Sequence, residues 1–145
     1  MHSIAGTSSI ITVLIMLIIA SFADIRTRRI PDLLMFSFSA AGLLYILLDT
    51  NRELPDGLMG AFTGVLFMGL AYKAAGGGLG LGDVKLFGCT GIYLGLEDTL
   101  AAMLVSVILC GLFSLALIGV NRENRKRELP FAPFVLAGAL AVIFL

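Results

Sequence analysis

The chain is 145 residues long, 59% apolar and 14% charged, against roughly 45–50% apolar and about 25% charged for an average soluble domain. Ten Lys and Arg balance ten Asp and Glu, which excludes a basic nucleic-acid binder and an acidic disordered tail. With a mean hydropathy of +1.02, there are too few polar residues to cover a water-facing surface, and the expected solvent is a lipid bilayer.

Six apolar stretches follow in chain order: Ile4–Phe22, Leu33–Leu48, Gly57–Tyr72, Val84–Leu96, Thr99–Val120 and Pro130–Leu145. Of the 20 charged residues, 19 lie outside them, Lys85 being the exception. A hydrocarbon core of ~30 Å takes about 20 helical residues. The first and fifth stretches span it; the others borrow interfacial residues or pack within the bundle, and the fourth is the shortest. Backbone groups in lipid need partners within their own segment, and the apolar/polar alternation of a barrel is absent, so each stretch is expected to be a helix. Ser21-Phe22-Ala23 resembles a signal-peptide cleavage site, but residues 1–9 contain no Lys or Arg and the run exceeds an h-region of roughly 7–15 residues. The expectation is an all-α polytopic membrane protein, a six-transmembrane-helix bundle in one domain over residues 1–145, with no linker and no repeat. Gly57, Gly60 and Gly64 in the third helix and Gly91 and Gly95 in the fourth are expected at close helix contacts.

Alternation of the helices puts connections 23–32, 73–83 and 121–129 on one side. With Lys85 assigned there, that side holds Arg26, Arg28, Arg29, Lys73, Lys85, Arg122, Arg125, Lys126 and Arg127, nine of the ten cations. The other side keeps Arg52 beside Asp49, Glu53, Asp56, Glu97 and Asp98. By the positive-inside rule the first side is cytoplasmic, and both termini face out.

Cys89 and Cys110 are single, lie in apolar stretches and form no CxxC pair for zinc, so they are expected in the core. His2, the one histidine, lies on the outer side, which leaves no base for a Ser or Cys nucleophile near the cytoplasmic charges. Neither GxxxxGK nor GxGxxG occurs, which argues against nucleotide chemistry. No metal and no cofactor is expected.

What remains are carboxylates close to the membrane, where an ionisable group is a functional hypothesis by default. Asp24 follows the last apolar residues of helix 1, and Asp83 stands at the entrance to helix 4 in Gly80-Leu81-Gly82-Asp83-Val84-Lys85. Both fall on the cytoplasmic side, 59 positions apart, and would meet if helices 1 and 4 pack side by side. Structural alternatives stay open: Asp83 as the N-cap of helix 4 with Lys85 as a surface anchor, and Asp24 paired with Arg26 or Arg28. The five glycines of 76–82 fit a sharp bend or a close approach to a ligand, and equally a flexible loop. The outer acids are expected to be solvated in loops. Two carboxylates a few ångströms apart share one proton, so that one activates water while the other polarises a carbonyl, giving peptide hydrolysis without metal or covalent intermediate.

Asp24-Ile25-Arg26 followed by Arg29-Ile30-Pro31, then Gly80-Leu81-Gly82-Asp83-Val84-Lys85-Leu86 and the closing Pro130-Phe131-Ala132-Pro133-Phe134, resemble the type IV prepilin peptidases, GxGD-class intramembrane aspartic proteases. The resemblance implies that Asp24 and Asp83 are catalytic, that Gly80 and Gly82 shape the approach to Asp83, and that Lys85, Arg26 and Pro31 bind substrate or shape the site. It implies as substrate and partner a prepilin-like membrane protein whose basic leader is removed at the cytoplasmic face of the inner membrane. Bifunctional members carry an insertion with paired CxxC motifs and methylate the new terminus; this chain has neither, and resembles the short peptidase-only form. The alternative from another class is a small transporter or membrane scaffold in which the aspartates bind a cation or cap helices.

Overall fold

In a computed structural model, the described residues are 7–48, 54–74, 80–120 and 129–144. They form six α-helices: α1 Thr7–Thr27, α2 Asp32–Leu48, α3 Leu54–Ala74, α4 Leu81–Leu94, α5 Leu96–Val120 and α6 Ala132–Phe144. His2, the Asp49, Arg52 and Glu53 connection, Gly76 to Leu79, and the charged residues of 121–128 lie outside the described residues, and so does Leu145.

Three of the helices, α1, α3 and α5, are long and apolar enough to cross a membrane. Their outward faces carry large apolar side chains, such as Ile11 at 52%, Phe62 at 68% and Leu104 at 65% exposure. Such faces in a 145-residue chain suit hydrocarbon rather than water.

At ~1.5 Å per residue, the 14 residues of α4 make it one of the two shortest helices, and it is the central one. It touches all five others, and every residue from Leu86 to Leu94 is buried. A helix surrounded by protein needs no polar face, and from Leu86 to Leu94 it carries no charged residue. The glycines let α3 lie directly against it. A Cβ on Gly60 would stand 2.5 Å from the Gly91 carbonyl oxygen, and one on Gly64 would stand 2.6 Å from that of Phe87. Backbone cannot yield, so only glycine permits this approach, as the spacing predicts. Tyr93 crosses the bundle on the other side, its hydroxyl donating to the Phe38 carbonyl at 2.5 Å.

The α4–α5 junction differs from expectation. The connection falls on Gly95 alone, at φ 84, not on residues 97–98, and Glu97 and Asp98 lie in the first turn of α5. Glycine holds this left-handed conformation without strain. Asp56, expected to be a solvated loop acid, belongs to the first turn of α3 and accepts a hydrogen bond from the Leu96 N–H at 3.0 Å. It thus caps a neighbouring helix, satisfying an amide that has no partner within α5. Cys89 is buried in the core and Cys110 half-buried, both as free thiols.

Candidate active site

Two helix ends supply the carboxylates. α1 does not stop at the last apolar residues but runs through Asp24 to Thr27. There Arg28 turns left-handed, at φ 52, and its N–H donates to the Asp24 carbonyl at 2.8 Å. The Thr27 hydroxyl donates to the Ala23 carbonyl at 2.9 Å and lies 3.0 Å from that of Arg29. Asp24 is therefore held on rigid helix. At the other end, α4 begins before Asp83. Gly80 is the N-cap, in extended conformation and without a side-chain cap bond, and the Asp83 N–H donates to the Gly80 carbonyl at 3.1 Å. Asp83 is thus not the N-cap residue; it sits inside the first helical turn, where its carboxylate takes the Gly80 backbone amide as a hydrogen-bond partner.

Both aspartates are buried, Asp24 at 7% and Asp83 at 9% exposure, and they lie within electrostatic reach of each other. α1 and α4 touch, as the meeting of the pair requires, yet α1 packs mainly on α6. That third helix contributes directly: the Ala132 N–H, the first amide of α6, donates to Asp24 Oδ2 at 3.0 Å. The open end of a helix favours negative charge and offers free N–H groups. The Phe131 ring, 6.0 Å from that of Phe87, ties the start of α6 to α4 one turn beyond Asp83. Pro130-Phe131-Ala132-Pro133 is the local reason α6 begins there. The Phe131 carbonyl accepts from Phe134 and Val135, and proline is at home where amides lack partners. Reading the chain alone gives no role to the backbone of Ala132, although a proline-bracketed helix start beside an apolar run is its one signal.

The remaining predicted residues separate. Gly80 belongs to the site: a Cβ there would lie 3.2 Å from Asp83 Oδ2. Gly82 is less constrained, because a Cβ would meet Ile30 at an ordinary 3.5 Å. Ile30 thereby lays the segment after α1 against the start of α4. Lys85 lies about 200° around α4 from Asp83 and pairs with Asp32 at 2.6 Å, both side chains exposed. Arg26 is exposed, its guanidinium 5.8 Å from the centre of the Phe22 ring. Pro31 is exposed at the head of α2, its carbonyl accepting from Leu34 and Met35. A cavity of about 440 Å³ opens between α2 and α3, lined by Met35, Phe62, Val65, Lys85 and Cys89, and the two aspartates do not border it. Among the described residues no group of three or more His, Cys, Asp or Glu is placed to hold a metal ion.

Comparison with known proteins identifies the family. The chain is 37% identical over 128 residues to a Bacillus subtilis protein named prepilin leader peptidase/N-methyltransferase, covering 86% of this chain and 50% of that one. A protein of the same name from Aeromonas salmonicida is 29% identical over 145 residues, or 96% of this chain and 50% of its own. Leader peptidase HopD of Salmonella typhimurium is 31% identical over 118 residues, covering 77% of this chain and 76% of that protein. The chain spans about half the length of the first two. No solved structure matches it. Residues 11–115 match the model of the type IV leader peptidase family, and the chain belongs to that family.

Proposed function

We propose that this chain is a membrane-embedded aspartic endopeptidase that removes the basic leader of type IV prepilin-like proteins, with Asp24 and Asp83 as its catalytic pair. One observation supports this reading above the others: two buried carboxylates, 59 residues apart in sequence, are brought from different helices into electrostatic reach. Like charges at short range share a proton. The carboxylate partner takes a proton from water as the water oxygen bonds to the scissile carbonyl carbon. The protonated partner gives its proton to the carbonyl oxygen. In the collapse that follows, the first returns its proton to the departing amine nitrogen, the second recovers a proton from the hydroxyl, and the C–N bond breaks. Helical, packed supports for both groups suit a reaction that depends on their separation.

The same reading places six spans in the inner membrane, both termini outside and the pair facing the cytoplasm, following the cation distribution. Co-expression with a prepilin-type substrate tests the chemistry. Asp24→Asn and Asp83→Asn, each correctly inserted, are expected to lower leader cleavage by at least 100-fold, about the least a positioned acid or base contributes. Full leader removal by either variant would reject the pair.

A further inference from the structure

Among the described residues, Ser21 carries the one buried side-chain oxygen with no hydrogen-bond partner, in a residue only 6% exposed. Its neighbours in kind behave differently. Hydroxyls inside helices commonly turn back onto the carbonyl four residues earlier. Thr12, Thr27, Ser37, Thr63, Thr90 and Ser106 all do so here, at 2.6–2.9 Å. Ser21 does not. A buried hydroxyl left unpaired is costly, and natural proteins keep few of them. Ser21 and Asp24 are three residues apart on α1, hence neighbours on one face, and that face is buried at Leu17, Ala20 and Asp24 alike. Asp24 Oδ2 is occupied by the Ala132 N–H, which leaves Oδ1 for another partner.

We propose that Ser21 is a positioning residue whose hydroxyl, together with Asp24, holds the water that attacks the scissile peptide group. A water whose two protons are accepted by the Asp24 carboxylate and by Ser21 Oγ keeps a lone pair for the carbonyl carbon, as the attack requires. The inference rests on the aspartate pair proposed above. It explains why a hydroxyl stands where alanine would pack without an unpaired polar atom, in a stripe that is otherwise apolar up to the carboxylate.

Ser21→Ala in purified protein, assayed on a prepilin-type substrate, is expected to lower kcat about tenfold, the worth of one ordinary hydrogen bond, with KM within about twofold. Its thermal midpoint should equal or exceed the wild-type value, since an unpartnered hydroxyl gives the fold nothing. Ser21→Thr and Ser21→Val, nearly equal in volume, isolate the hydroxyl: the threonine variant should keep the higher kcat. Wild-type kcat in Ser21→Ala would overturn the proposal. So would a lowered midpoint with the Thr and Val variants equally impaired, which marks a packing role. Asp24→Asn and Asp83→Asn assayed alongside separate the two ideas. If either cleaves as well as wild type, the pair itself fails; if both are lowered at least 100-fold while Ser21→Ala is unimpaired, only the role of Ser21 fails.

Discussion

Gly80 and Gly82 both precede Asp83, but the space around them differs. At Gly80 a methyl group would press on the Asp83 carboxylate, whereas at Gly82 it would touch Ile30 at an ordinary distance. Gly80→Ala is expected to lower kcat about tenfold at most while the protein stays folded, because a displaced catalytic group costs rate before it costs stability. Gly82→Ala should stay within about twofold of wild type, and parallel kinetics on the two variants check the contrast. Lys85 illustrates the opposite case. Its pair with Asp32 is exposed on both sides, and exposed pairs contribute about 0–1 kcal/mol. Lys85→Ala is therefore expected to leave the thermal midpoint within a few degrees of wild type. At this scale the two aspartates were legible from the chain, because acids beside apolar runs stand out. The Ala132 amide and the Ser21 hydroxyl were not: a backbone group has no letter of its own, and a serine in a helix is usually satisfied locally.

Among the elements, α4 and its junctions decide the most. Its glycine face meets the backbone of α3, so Gly60→Leu is expected to disrupt the α3–α4 contact and destabilise the protein by at least the 1–3 kcal/mol typical of overpacking. Thermal unfolding in detergent, followed by helical signal, measures the loss. Asp56 holds the other end of α4 by capping α5 at Leu96, and Asp56→Ala should cost about 1 kcal/mol, the usual worth of a cap. The six helices were readable from hydropathy, and their ends moved by a few residues. The correction at Gly95 has a simple cause. Apolar composition runs straight through Leu94-Gly95-Leu96, and only a backbone turning to φ 84 separates one helix from the next.

At the scale of the whole molecule, apolar stretches joined by short connections made an all-helical, lipid-facing bundle legible from the chain. The physical reason is that lipid imposes two strong rules on sequence: apolar side chains outward, and backbone hydrogen bonds closed within each segment. These act locally, residue by residue, and so they are written in composition and spacing. Which helices meet is a different matter. That α4 lies at the centre, that α6 brings its first amide to Asp24, and that Asp83 lies within electrostatic reach of Asp24 depend on how helices distant in sequence pack. Such contacts arise from the joint packing of six apolar surfaces that look much alike in sequence. The chain by itself determined the solvent, the helices and the two carboxylates. Tertiary packing alone decided which groups surround those carboxylates, because apolar helices have many ways to associate and only shape, glycine by glycine and ring by ring, selects among them.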